Sequence, residues 1–171
     1  MKIAVQLEPA SGATAEVAYK WDPDTEILSA QLSPVVAGEG MSGSVGLEGA
    51  DGSFVVLDVA DGALRGLDVV TWPDDIRTVD TLAPPAEVKD GTVIFPSRGS
   101  QPGVAAVEVD TALTMEKNPK ESVLHLRVGR ARTATPVRVG DHLLVEIDKQ
   151  SRLAGIWLLE VPPFPNVEVT A

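Results

Sequence analysis

The sequence predicts an all-β protein: two pseudo-repeated antiparallel β-units packed as a sandwich or open barrel, with little or no helix. Three observations predict it. Apolar residues alternate with polar ones over short runs, while a 3.6-residue period is hard to find. Fifteen Gly and thirteen Pro in 171 residues cut the chain into strand-length pieces. Two stretches also echo one another, "YKWDPDTEILSAQL" from Tyr19 and "MEKNPKESVLHLRV" from Met115, each a strand-like run, a Pro-centred turn and a second run.

Taken in order, "KIAVQLE" reads as a strand, "SGA" turns it, and "TAEVAYKW" runs back. Asp22-Pro23-Asp24-Thr25 is a turn by its chemistry, since Pro fixes φ and Asp side chains bond nearby amides. "EILSAQL" resumes with Leu28, Ala30 and Leu32 on one face. The Gly-rich "SPVVAGEGMSGSVGLEGADG" predicts a long loop containing an irregular strand. "SFVVLDV" predicts a strand buried on both faces, followed by a hairpin around Asp61-Gly62 and the strand "LDVVTW", stopped by Pro73. "PDDIRTVDTLA" is the best helical candidate, with loop or strand as alternatives. In the second half, "EVKDGTVIF" predicts a hairpin around Asp90-Gly91. "GVAAVEV", "ALTMEK", "SVLHLRV", "HLLVEID" and "IWLLEV" are strands, with Asn118-Pro119 a turn and Pro162 the final stop.

The echo aligns by residue. A shift of 96 lays Pro23 on Pro119, Leu28 on Leu124 and Leu32 on Val128. A shift of 88 lays Leu57 on Val145 and Asp58 on Glu146. One extra turn residue makes the shift 89, so that Gly66 meets Gly155, Leu67 meets Ile156 and Val69 meets Leu158. The division that follows is a first β-unit over residues 1–86 and a second over 87–171, sharing one core because each alone buries too little apolar surface. Phe54, Val56, Trp157 and Leu159 lie on faces otherwise exposed and are the expected contact between units or subunits.

Tyr19–Trp72 and, more clearly, Met115–Pro162 resemble the short bacterial β-hairpin domains grouped as domain of unknown function family 2283, as two divergent copies in tandem. The matching pieces are "YKWDPDTEILSAQL" with "GLDVV", and "NPKESVLHLRV" with "EIDKQSRLAGIWLL". The aromatic that the pattern places after the central Leu is Ser29 in one copy and His125 in the other. The acidic residue of its last strand is Asp68 in the first copy and Trp157 in the second. The resemblance implies a fold and a bacterial source, and carries no activity with it.

Composition narrows the function. With no cysteine, disulfides and thiolate chemistry are absent. No secretory signal and no run of 18 apolar residues is found, so the expectation is a cytoplasmic protein without a membrane partner. The net charge of −11 argues against nucleic acid as a partner. That charge is uneven, with 14 acidic against 4 basic residues in 1–86 and 11 against 10 in 87–171. The bases gather in "RVGRARTATPVR", where Arg127, Arg130, Arg132 and Arg138 read as one loop, either balancing the acidic neighbour or holding an anion or acidic partner.

Alternation places His125 and Arg127 on the face opposite Leu124 and Leu126, and His142, Leu144, Glu146 and Asp148 opposite Leu143 and Val145. If those strands pair, His125, Arg127, Glu146 and Asp148 share a face, either as a ligand, acid–base or metal site or as cross-strand charge pairs on a wet surface. No H-x-x-x-H spacing supports a metal, and no cofactor is expected. "DPDTE" lacks the length and central Gly of a calcium loop. "GEGMSGSVG" lacks the G-K-[ST] of a phosphate cradle, and no G-x-S-x-G elbow occurs. "VPPFP" either lies as a polyproline segment on another chain or packs Phe164 on its own domain.

Three functional classes remain. The first is a non-catalytic binding or interaction protein, regulatory or an immunity-type inhibitor of a basic partner. The second is a small-molecule binder or enzyme using the His125/Arg127/Glu146/Asp148 face, with His142, Arg130 and Arg132 nearby. The third is a structural component of a homo-oligomer, recruited through open strand edges.

Overall fold

The computed structural model describes residues 3–9, 15–33, 42–96 and 104–165, and among these every regular element is a strand. The first half supplies β1 (Gln6–Pro9), β2 (Glu16–Trp21), β3 (Leu28–Ser33), β4 (Ser42–Glu48), β5 (Phe54–Ala60), β6 (Ala63–Thr71) and β7 (Ile76–Thr78). The second supplies β8 (Lys89–Ile94), β9 (Val104–Asp110), β10 (Leu113–Lys117), β11 (Leu124–Val128), β12 (Ala134–Gly140), β13 (Leu143–Asp148) and β14 (Leu153–Leu158). They join in one large, curled, mixed sheet that forms a half-barrel, the open-barrel form of the expected architecture.

Two antiparallel five-stranded units with the same strand order lie within it, β2-β3-β6-β5-β4 and β10-β11-β14-β13-β12, each with a crossover after its second strand. Their registers coincide. Leu28 faces Val69 and Ala30 faces Leu67 in the first, as Leu124 faces Leu158 and Leu126 faces Ile156 in the second. On the other flank Leu57 faces Leu67 as Val145 faces Ile156. Each pair falls where the sequence shifts of 96, 89 and 88 place it.

The Pro-containing turns match as well. The Asp22 amide donates to the Ile27 carbonyl (2.9 Å) and the Asn118 amide to that of Val123 (3.2 Å), closing loops of equal length. Short polar side chains hold these turns from within. Asp22 Oδ1 accepts from the Asp24 amide, and Asn118 Oδ1 from the amides of Ser122 and Val123. The β5–β6 hairpin turns on Asp61 and Gly62, both at positive φ, as a two-residue turn matched to strand twist requires.

Other expectations fail, all for a non-local reason. Asp90-Gly91 makes no hairpin. Both residues lie within β8, which pairs antiparallel with β1 and parallel with β12, so strand partners from distant sequence override a local turn signal. β1 accordingly does not pair back on β2. The stretch after Trp72 forms the short strand β7, parallel to β10, rather than a helix. The Gly-rich segment contains a regular strand, β4, paired along its length with β5 and with β9. β5 buries only Val55, Leu57 and Val59, leaving Phe54 and Val56 half-buried. The "SGA" turn and residues 34–41 of the expected long loop lie outside the described residues.

The inward positions of both units form one apolar cluster, in which Leu28, Leu57, Leu67 and Val69 join Leu124, Val145, Ile156 and Leu158. Polar joints lock the halves at the rim of this core. The Tyr19 hydroxyl, on β2, shares its proton between the carbonyls of Leu159 (2.9 Å) and His142 (3.0 Å). Burial, with the charges of Asp141 and Glu160, holds its pKa above the ordinary value, so it stays a donor. Trp21 Nε1 donates to the Pro162 carbonyl (2.8 Å), and the Val17 amide to Asp141 Oδ1 (2.8 Å).

Because Leu28 and Leu124 occupy corresponding places in one cluster, Leu28→Ala and Leu124→Ala are each expected to cost about 3 kcal/mol. Thermal unfolding followed by far-UV circular dichroism and by tryptophan fluorescence should then show a single coincident transition in the wild type and in each variant. Two separated transitions would refute the shared core.

Candidate functional site

The structure brings His125, Arg127 and Glu146 together and adds Glu116, which the sequence reading missed. β11 and β13 do not pair directly, since β14 runs between them. The His125 imidazole reaches across β14 at Gly155 to hydrogen-bond Glu146 through Nε2. A Cβ on Gly155 would collide with Glu146 Oε1 and lie 3.0 Å from the Leu126 carbonyl oxygen. A Cβ on the corresponding Gly66 would lie 2.6 Å from the corresponding Ala30 carbonyl oxygen, so both copies need glycine for the approach of the neighbouring strand. Only the second copy bridges a side-chain pair above it.

His125 is buried, its ring stacked on Trp157 with centroids 4.1 Å apart and planes at 10°. Glu116, its cross-strand neighbour, lies 3.9 Å from Nδ1 and also accepts from Arg127 Nη2 at 3.4 Å. The wet surface expected here is thus a covered one. Trp157 is likewise not the free contact face that alternation suggested, and Leu144 beside it is fully buried. Among the described residues the Trp157 indole N–H finds no hydrogen-bond partner, a cost of about 1–3 kcal/mol that apolar packing offsets. His125 is therefore engaged on a ring face and at Nε2, which suits a structural clamp.

Asp148 does not join this group. It sits in the β13–β14 turn, where Oδ1 accepts from the amides of Gln150 and Arg152 and Oδ2 from Arg132 Nε (2.8 Å). Arg132 further donates through Nη1 to the carbonyls of Val128 and Arg130, and through Nη2 to that of Leu153. Its guanidinium thus ties the β11–β12 loop to the β13–β14 hairpin and leaves little for an anion. The four arginines also do not form one loop. Arg127 lies on β11 and Arg138 on β12, where Arg138 Nη1 bonds the Asp141 carbonyl, while Arg130 is exposed. His142 stands apart at the opposite end of β13, 3.2 Å from Glu160 and 3.7 Å from Asp141. Among the described residues, no three His, Asp or Glu side chains come together so as to hold a metal ion.

A second feature is more open. A groove of about 350 Å³ lies where the two Pro-turns meet. Trp21 and Glu26 line it from the first copy, and Met115, Lys117, Glu121 and Leu124 from the second. Trp72, Ile76 and Phe164, from the segments that follow each copy, complete it. Trp21 stacks on Trp72 (5.7 Å, 20°) and meets Phe164 edge-on (5.2 Å, 84°), so the tail does pack Phe164 on its own domain. Trp72 Nε1 donates to the Glu26 carbonyl (2.9 Å), fixing the indole against the first turn. Lys117 pairs with Glu121 at 2.7 Å.

None of these groove residues was among the expected site residues. A usable signal did exist, since three of only seven aromatics, Trp21, Trp72 and Phe164, each stand beside a turn or a proline at a strand end. Their convergence depends on how the two copies pack, which no local pattern shows.

Asp148 gives a pH prediction. Burial alone would raise its pKa, but Arg132 and the amides of Arg152 and Gln150 bring it below the ordinary carboxylate value. A depressed folded pKa means that the interaction contributes fully above about pH 4 and is lost as pH falls through the folded value. Wild-type stability should drop over that acid range, and Asp148→Asn should flatten the drop. Arg132→Ala, which leaves the buried carboxylate with Arg152 (3.4 Å) and two backbone amides, is expected to cost about 2 kcal/mol at pH 7 in denaturant unfolding.

No protein-family model and no curated protein matches the chain, so the reading of its role rests on this geometry.

Proposed function

We propose that the protein is a non-catalytic binding or interaction protein, a regulator or immunity-type inhibitor of a basic partner. The observation that carries this reading is the aromatic groove between the two Pro-turns. Pockets between structural units, lined by apolar and aromatic groups with a few polar ones, are where proteins hold ligands and partner side chains. Trp and Tyr in such settings supply much of the binding energy at interfaces. The surrounding charge supports a basic partner, since the chain carries −11 and Glu26 and Glu121 border the groove. The side-chain clusters that suggested catalysis support the same reading from the other side. His125 is clamped between Trp157 and Glu146, and Arg132 is engaged by four acceptors.

The test is affinity capture with the intact protein beside Trp72→Ala, after circular dichroism has shown the variant folded. The wild type is expected to retain a partner of high isoelectric point, and Trp72→Ala to lose about 2 kcal/mol or more of its affinity for that partner. Equal capture by both proteins, or a purely acidic partner, would defeat the reading.

A further inference from the structure

We propose that the groove accepts an arginine side chain of the partner, its guanidinium lying against the tryptophan pair and facing the carboxylates of Glu26 and Glu121. This rests on the reading of the protein as a binder of a basic partner and names what that partner inserts.

The argument is an inventory of what the groove still offers. Both indole N–H donors are already engaged, Trp21 by the Pro162 carbonyl and Trp72 by the Glu26 carbonyl. The one cationic lining side chain, Lys117, is paired with Glu121. An anion or a neutral acceptor entering the groove therefore meets no free indole donor and only one ammonium, that of Lys117, whose charge Glu121 already balances. What remains is the ring surface of the tryptophans, the apolar side chains of Ile76, Met115 and Leu124, and carboxylate oxygens at the mouth. That set suits a cation on an apolar stem. Guanidinium suits it better than ammonium, being planar, able to stack on an indole, less strongly hydrated, and able to meet a carboxylate with two parallel donors.

Size agrees, since about 350 Å³ lies at the lower end for ligand sites and gives room for one long side chain rather than a folded element. The aromatic lining is also not repeated along the sequence. At the position where the first copy carries Trp21, the second carries Lys117, so the repeat does not generate a second aromatic site.

The experiment is a titration of the full chain with N-acetyl-arginine amide, following the indole N–H resonances in heteronuclear NMR. Those of Trp21 and Trp72 are expected to shift in a saturable way while that of Trp157 stays put. The citrulline analogue, a neutral near-isostere, should bind at least fivefold more weakly, and the lysine analogue more weakly than arginine. Glu26→Gln, an exposed turn substitution, should weaken arginine binding at least threefold. Equal binding of arginine and citrulline would overturn the cationic assignment, and equal binding of arginine and lysine the guanidinium preference. No response of Trp21 or Trp72 to arginine would overturn the proposal outright. The broader reading stands or falls separately. If Trp72→Ala abolishes partner capture while arginine does not bind, only the occupant is wrong; if capture survives Trp72→Ala, both are wrong.

Discussion

A β-sheet has two faces, and in this chain the apolar faces of the two copies are covered in one cluster that also takes in Val5, Val93, Phe95 and Val109. The rest of the structure depends on that mutual coverage. Leu28, Leu57, Leu67 and Val69 of one copy and Leu124, Val145, Ile156 and Leu158 of the other enter that cluster together. The strand registers that put these residues in line are repeated in the two halves because a slip of one residue would turn the whole apolar set to solvent. The polar joints then follow the apolar one. Tyr19 and Trp21 sit on the inward side of β2 and find backbone carbonyls in the other copy, among residues 142–162. The groove is a further consequence, because closing two like units together brings their Pro-turns to a common mouth.

On the outer side the copies diverge while the backbone stays the same. Where the second has His125, Glu146 and Trp157, the first has Ser29, Asp58 and Asp68. Asp58 pairs with Arg65 in solvent, at 3.0 Å, and such an exposed pair adds little stability. In the second copy the same positions build a covered layer, with an imidazole on an indole and a carboxylate reaching across a glycine. The repeat thus supplies two surfaces of different character from one scaffold. The more acidic half keeps its outer face partly open, and the other half closes its own.

The sequence made the repeated features legible and concealed the exchanged ones. Turn chemistry and alternation sufficed to align Leu28 with Leu124 and Gly66 with Gly155, because hairpins are local and their registers follow from loop length and apolar parity. Asp90-Gly91 misled for the complementary reason. A two-residue turn signal is only a preference, and β8 gains more by pairing with β1 and β12, whose residues lie more than 40 positions away. The candidate site divided in the same way. That His125 and Glu146 share a face was readable from parity. That Trp157 and Glu116 shield them, and that Asp148 leaves the face after the irregularity between Glu146 and Ile147, was not. Trp21, Trp72 and Phe164 were individually conspicuous as rare aromatics, yet their meeting depends on three segments spread over 143 positions.

The arginines show why counting charges along a chain misplaces function. "RVGRARTATPVR" concentrates positive charge in the sequence, but folding disperses it, and its best-placed member is the one least available. Arg132 donates to Asp148 and to three backbone carbonyls, so its charge organises a loop. A buried carboxylate such as Asp148 needs a half-buried guanidinium of this kind, since unpaired it would carry the full cost of desolvation. The groups that remain to meet a partner are those that the fold does not itself consume. In the groove these are carboxylate oxygens and ring faces, both electron-rich, whereas the indole donors beside them are already committed to the backbone. An acidic chain that uses its cations to hold itself together keeps an electron-rich surface for what it binds.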